Sequence, residues 1–245
     1  MNKLTGKVYL VGAGPGDVEY LTVKAYRLLA QAEVLIYDAL VDEQLLKLVP
    51  DNCLKIYVGK RGGLPSTPQT EINQLLVQYC QQGKIVIRLK SGDPFIFGRC
   101  TSEIQALYAA GCNFEAVPGI SSAIAAPMLA GIPLTDTVMS RCFAVFSAHQ
   151  PENLDWEALS RLDTLVILMG GQHLSEIIHQ LIKNGKNQFT SITPIAIIRK
   201  AGTAEQQVWI GKLSTIVEQV HSVHLSPAVI VIGEVVEYAR FFENM

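Results

Sequence analysis

Two charges of opposite sign stand where strands should end. Asp38 closes the apolar stretch 33–37, and Lys60 follows the stretch 54–58 in the run Gly59-Lys60-Arg61-Gly62-Gly63. Read singly, each is a solvated strand-end charge. Read together, they are an acid and a base at neighbouring strand ends, suited to moving a proton or orienting an anion. A third candidate is the stretch RLKSGDPFIFGR from Arg88 to Arg99, where the buried-looking run Ile85-Val86-Ile87 is cut off by Ser91-Gly92-Asp93-Pro94. Glycine admits backbone angles closed to other residues and proline fixes φ, so this turn is rigid and turns main-chain polar groups outward. Glycine and proline content alone fits an ordinary strand-to-helix connection. Phe95, Phe97 and an arginine at each end weigh toward a small-molecule ligand held by the main chain.

A second glycine-rich stretch, Gly12-Ala13-Gly14-Pro15-Gly16-Asp17, follows the apolar run 8–11 and precedes a helical pattern over 21–31. Strand, glycine loop and helix occur in the order of a dinucleotide site. The third glycine nevertheless arrives one residue early, and Pro15 stands where a phosphate needs an N–H. A tight turn and a contact to a phosphate-free ligand both remain open. Neither GxxxxGK[ST] nor GxSxG occurs, so ATP-driven and serine-nucleophile chemistry lack their motifs. His221 and His224 lie three apart near a helix end, and with His149, His173 and His179 they read as solvated or capping residues, so no metal site is expected.

These candidates need a scaffold, and the pattern supplies one. Strand-like runs at 8–11, 33–37, 54–58, 85–87 and 114–117 alternate with helical spacing at 21–31, 42–48, 67–81 and 101–110. Such alternation predicts an α/β fold with a mostly parallel sheet and ligands beyond the strands' carboxyl ends. Thr101 or Ser102 is the expected cap of the fourth helix. A small-residue helix over 123–130 follows Pro118-Gly119-Ile120-Ser121-Ser122, and the domain change is placed here, giving domains 1–120 and 121–245. Beyond it, strands are expected at 143–147, 164–169, 194–198, 207–210 and 228–231, with helical segments at 156–162, 174–183 and 213–220. The hairpin-like approach of 207–210 to the preceding strand makes the second sheet mixed.

Composition narrows the function. Of 245 residues 49% are hydrophobic and 17% charged, enough apolar material for two sizeable cores. A net charge of −2 leaves no global basic field, so nucleic acid is not an expected partner and an anionic substrate must meet a local cluster. Five scattered cysteines without a CxxC pair read as reduced thiols of a cytoplasmic protein. The longest apolar run, 123–134, is interrupted by Pro127 and too short to span a bilayer, so no membrane association is expected.

VGAGPGD at 11–17, Tyr37-Asp38, VGKRGG at 58–63, PQTEIN at 68–73, RLKSGDPFIFGR, VPGISSA at 117–123 and GIPLT at 131–135 together resemble the tetrapyrrole methylase family. The likeness covers nearly the whole chain. Within the family, the GKR and PQxEIN pair is similar to the members that methylate uroporphyrinogen III. The resemblance implies a two-domain α/β fold with S-adenosyl-L-methionine in the trough between the domains, in a homodimer. It implies transfer of the sulphonium methyl to two ring carbons, C2 and C7, of uroporphyrinogen III, giving precorrin-2 on the branch to sirohaem and cobalamin.

Carried across residue by residue, the resemblance puts the cofactor against Pro15, Ser91, Gly92, Asp93, Ile96, Ser121, Ser122, Met169, Ala196 and Gly202, with S-adenosyl-L-homocysteine as the product. It makes Asp38 the proton acceptor and Lys60 the donor. Lys60, Arg61 and Arg99 would receive the carboxylates of the tetrapyrrole. Main-chain groups at Gly92–Asp93 and Ser121–Ser122 are expected to bind the cofactor's polar ends, and Ile96 and Met169 to sandwich its adenine. Three positions depart from the family pattern: Ser91 for a glycine, Cys100-Thr101-Ser102 for GGE, and Asp136-Thr137 for a His-Arg pair. The last removes an expected basic contact, for which Arg141 is the nearby substitute. Two other readings stay open: a methylase of a later precorrin intermediate, and a nucleotide-binding regulatory protein.

Overall fold

The computed structural model describes residues 6–59, 67–185 and 188–242. They divide into two compact units, Met1–Ser121 and Ser122–Met245. The first unit runs β1 (Lys7–Gly12), α1 (Val23–Leu29), β2 (Val34–Tyr37), β3 (Leu54–Tyr57), α2 (Gln69–Gln81), β4 (Ile85–Lys90), α3 (Cys100–Ala109) and β5 (Asn113–Val117). All five strands are parallel, in the order β3-β2-β4-β1-β5.

Alternation along the strands covers the sheet on both faces. Leu35, Ile87, Leu89 and Val11 share a core with Ala25, Leu28 and Leu29 of α1. Val34, Ile36, Val86, Val8 and Leu10 pack on the opposite face against Ile72, Leu76 and Cys80 of α2 and Cys100 and Leu107 of α3. The chain therefore leaves β1 toward one face and β4 toward the other, although the two strands are neighbours. Departures to opposite faces open a crevice at the strands' carboxyl ends, where ligands of open α/β sheets bind.

The second unit runs α4 (Ser122–Leu129), β6 (Phe143–Ser147), α5 (Trp156–Leu159), β7 (Thr164–Leu168), α6 (Leu174–Asn184), β8 (Pro194–Arg199), β9 (Gln207–Lys212), α7 (Ile216–Gln219) and β10 (Ala228–Ile232). Its sheet is mixed, ordered β6-β7-β10-β8-β9, with β6 and β7 parallel and the other pairs antiparallel. Along β8, Ile195 and Ile197 enter a core with Ile177, Leu181 and Trp156, while Ala196 and Ile198 enter another with Ala123, Ala126 and Val235.

Several expected helices are shorter than their sequence pattern. Over 42–48 there is one 3-10 turn, Leu45–Lys47, because Asp42 closes its own turn by accepting from the Gln44 N–H at 2.8 Å. The segment 213–220 reduces to α7, which begins at the β-branched run Thr215-Ile216-Val217 with no side-chain cap. The segment 156–162 reduces to α5, capped by Asp155. Helix α3 starts at Cys100, one residue before its expected caps. Its N-cap is Arg99, in the left-handed region at φ 54° and without a side-chain cap bond. Ser102 is instead occupied by Asn73, whose Nδ2 donates to Ser102 Oγ at 3.0 Å. A C-terminal 3-10 helix, Glu234–Phe241, has no counterpart in the sequence reading.

Candidate active site

Three strand ends of the first unit meet through glycine. Gly14 and Gly92 exchange hydrogen bonds across the β1–β4 crevice: the Gly14 N–H donates to Gly92 O at 3.2 Å and the Gly92 N–H to Gly14 O at 2.8 Å. A side chain at Gly119, just past β5, would place its Cβ 2.3 Å from Gly92 O and 2.7 Å from Gly12 Cα, so no larger residue fits this approach. Asp93 ties the turn together, its Oδ1 accepting from the Phe95 N–H at 2.8 Å and its Oδ2 from the Gly119 N–H at 3.1 Å. Gly92 sits at φ 66°. The Gly92 N–H is thus occupied by Gly14.

Beyond the turn, Phe95, Ile96 and Phe97 are all exposed, and Phe97 is held at φ 53°. A bulky residue rests in the left-handed region only where its surroundings over-determine it, a feature that clusters at ligand sites. This corner does not suit a phosphate. The β4 turn contributes the Asp93 carboxylate, the β1 loop ends in Asp17, and Pro15 has no N–H to give. The close glycine approach and exposed apolar Ile96 fit a sulphonium nucleoside better than a dinucleotide.

At the same strand ends a chain of charges runs inward from Asp38. Asp38 Oδ1 accepts from Arg88 Nη2 at 2.6 Å. Arg88 Nε donates to Glu103 Oε1 at 2.9 Å, and Lys90 Nζ donates to both Glu103 oxygens, at 2.9 and 3.1 Å. Arg88, Lys90 and Glu103 are 2%, 3% and 0% exposed, whereas the Asp38 side chain is 31% exposed. Burial alone would lower the Arg88 pKa, but Asp38 and Glu103 outweigh it and hold the guanidinium above its ordinary value. Burial pushes the adjacent Cys100 thiol up to about 11, so it stays neutral near pH 7 and adds no charge. Gln69, at the start of α2, reaches Glu103 Oε1 at 3.5 Å and Asn73 Oδ1 at 3.1 Å. The PQTEIN stretch thus braces the network from its polar end while Ile72 enters the core.

Asp38 is therefore brought into a charged network, though its partner is Arg88. Lys60 and Arg61, the expected donor and carboxylate receiver, lie outside the described residues. Arg99 is exposed, beside Phe97. The sequence reading missed Glu103, Lys90 and Gln69. One signal was available: Val86, Arg88 and Lys90 alternate on the α2–α3 face of an otherwise apolar strand, and cations there require a buried acid.

The candidates of the second unit lie at strand ends and in its core. Ser122 opens α4. Met169 follows β7, exposed and in the left-handed region at φ 58°, its thioether facing Ser147 Oγ at 3.9 Å. Ala196 is fully buried within β8. Gly202, at φ 76°, turns the chain after β8, and its N–H donates to Gln206 Oε1 at 3.0 Å. Asp136 accepts from the Val138 and Met139 N–H groups at 2.8 and 2.9 Å and from the Tyr238 hydroxyl at 3.1 Å. Those backbone bonds hold its carboxyl below the ordinary range. Arg141 uses its main-chain N–H on Asp163 Oδ2, at 2.8 Å.

Residues 7–217 match the model of the tetrapyrrole (corrin/porphyrin) methylases. The chain is 57% identical over 241 residues, 98% of both chains, to the uroporphyrinogen-III C-methyltransferase of Synechococcus elongatus. It is 46% identical to the sirohaem synthase of Acinetobacter baylyi, over 94% of this chain and 51% of that larger protein. The crystal structure of uroporphyrin-III C-methyl transferase from Thermus thermophilus complexed with S-adenosylhomocysteine superposes with a TM-score of 0.80 at 38% identity, covering 95% of this chain and 99% of that one.

Proposed function

The chain belongs to the tetrapyrrole methylase family, and from that premise we propose that it methylates uroporphyrinogen III from S-adenosyl-L-methionine at C2 and C7, giving precorrin-2 for sirohaem formation. The observation that carries this reading is identity above one half, over nearly the full length of both chains, with a uroporphyrinogen-III C-methyltransferase. Bound S-adenosyl-L-methionine supplies an electrophilic methyl on a sulphonium centre. We assign its contacts to Pro15, Ser91, Gly92, Asp93, Ile96 and Ser121 of the first unit and to Ser122, Met169, Ala196 and Gly202 of the second. A homodimer, a cytoplasmic location and a contribution to cobalamin formation belong to the same proposal.

The protein's own groups then have three tasks. The glycine-lined turn and Asp93 fix a rigid cradle, so the reacting atoms meet in line without ordering the chain at each turnover. Lys60, Arg61 and Arg99 receive substrate carboxylates, which a protein of net charge −2 must meet locally. Methyl transfer to C2 or C7, which carry side chains and no hydrogen, leaves a cationic ring. Asp38 accepts the proton this cation gives up from an N–H or a bridging carbon, and Lys60 is the donor where a tautomeric shift protonates one ring position as another releases its proton.

The test is to incubate the purified protein with uroporphyrinogen III and methyl-labelled S-adenosyl-L-methionine. Two methyl groups per tetrapyrrole and the absorption of precorrin-2 are expected. No transfer to uroporphyrinogen III together with transfer to precorrin-2 would move the protein to a later step.

A further inference from the structure

The buried charges behind Asp38 are more than a strand-end carboxylate needs in order to stay in place. Arg88 donates from every edge of its guanidinium: Nε to Glu103 Oε1, Nη1 to the carbonyls of Ile36 and Leu89 at 3.4 and 3.3 Å, and Nη2 to Asp38 Oδ1. Lys90 grips both oxygens of Glu103, so that carboxylate cannot turn without losing one of its bonds. The four charges sum to zero only with Asp38 included, since Arg88 and Lys90 otherwise share the single carboxylate of Glu103. Replacing such a buried ionic set by apolar groups of the same volume is often neutral or stabilising, because desolvating charges offsets their attraction. What hydrogen-bonded charges supply and apolar groups do not is a fixed direction.

We infer that Glu103 is a positioning residue for methyl transfer: held by Lys90 and Gln69, it sets Arg88, and through Arg88 it fixes the orientation of the Asp38 carboxylate. This rests on the reading of Asp38 as the proton acceptor. Glu103 itself is fully buried behind Arg88 and does not meet substrate.

The test is a double-mutant cycle on single-turnover methyl transfer with wild type, Glu103→Gln, Asp38→Asn and the combined variant, alongside calorimetric binding of S-adenosyl-L-homocysteine. Glu103→Gln should lower the rate about tenfold with KM and cofactor affinity within twofold, and should add less than twofold in the Asp38→Asn background. A merely structural role would give the same loss in both backgrounds, and that result overturns the proposal. Should Glu103→Gln not fold, Glu103→Gln/Lys90→Met keeps the cluster neutral, and the same cycle is run on it: a tenfold loss absent from the Asp38→Asn background supports the proposal, an unchanged rate overturns it. If Asp38→Asn alone stays within threefold of wild type, the proton-acceptor reading fails separately. A crystal structure of Glu103→Gln then decides the positioning: Arg88 and Asp38 parted beyond about 4 Å support it, and a retained ion pair overturns it.

Discussion

Strands β4 and β8 are both six residues long, both lie inside their sheets and both are covered on two faces, yet they bury different chemistry. In β8 the residues Ile195, Ala196, Ile197 and Ile198 are fully buried and apolar, and each face meets an apolar core. In β4 one face is apolar, Ile87 and Leu89, while the other changes along its length from Val86 to Arg88 and Lys90. A strand can hide cations only where a neighbouring element brings an acid, and Glu103 in the first turn of α3 meets that requirement. The comparison separates two uses of a buried strand. One packs apolar groups against both faces, and the other carries two buried cations that pair with Glu103 and, through Arg88, with Asp38 at the end of β2.

The sharpest way to break this contrast is to enlarge a cavity in the apolar strand. Ile197→Ala removes a fully buried side chain facing Ile177 and Leu181 and should cost about 2–5 kcal/mol of stability in urea unfolding. Ile197 lies on the face opposite Ala196, the β8 residue assigned to the cofactor, so the folded fraction should keep its methyl-transfer rate within twofold. A rate loss in well-folded protein would show that the Ile197 face also supports the cofactor contact.

Asp38→Asn tests the charged strand from its exposed end. The amide keeps the shape of the carboxylate and gives up the group that accepts a proton, so the single-turnover rate should fall by roughly 10²-fold or more, about 2.7 kcal/mol. S-adenosyl-L-homocysteine should bind as before, because Gly92 and Asp93 are held by Gly14 and Gly119 rather than by Asp38. A rate within threefold of wild type would leave solvent as the base.

What the sequence made legible follows the range of the interactions concerned. The parallel sheet, its strands and the β4 turn were legible because alternation, glycine and proline act over a few residues. The partner of Asp38 was not, since Arg88 lies fifty residues away and Glu103 a further fifteen. Nothing local indicates that α3 will put its first turn over β4. The use of the Gly92 N–H was hidden for the same reason, because Gly14 takes it across a crevice made by strand order. The local role of Asp136 was equally hidden: it closes a turn and accepts from Tyr238 in the C-terminal 3-10 helix.

The β4 turn can be perturbed without touching the charges. Gly92→Val places a β-branched residue at φ 66°, where the left-handed conformation costs about 1–2 kcal/mol and the Gly14 bridge resists relaxation. Affinity for S-adenosyl-L-homocysteine should drop at least tenfold, about 1.4 kcal/mol, in a calorimetric titration of folded protein. Unchanged affinity would remove this turn from the cofactor site and leave the β4 contrast resting on the ionic network alone.

The smallest expected effect comes from a charge cluster that lacks burial. Glu115 in β5 accepts from Lys7 at 2.7 Å and pairs with Lys24, and hydrogen bonds from Lys24 and Lys7 hold its pKa down at about 2. A carboxylate whose folded pKa is depressed contributes stability above its unfolded value near 4.5, and the contribution is lost as pH falls from there toward 2. The side chains of Glu115, Lys7 and Lys24 remain 31%, 37% and 55% exposed, so water screens the pairing and the contribution should stay below about 1 kcal/mol. Glu115→Gln should therefore lower stability slightly at pH 7, and the difference from wild type should fade as pH falls through about 2. Raising the salt concentration should shrink it further. The buried β4 cluster should respond much less to salt, since its charges are out of reach of mobile ions. Equal salt sensitivity in Glu115→Gln and Glu103→Gln, read from paired urea unfolding curves at low and high ionic strength, would mean that burial does not distinguish the two clusters.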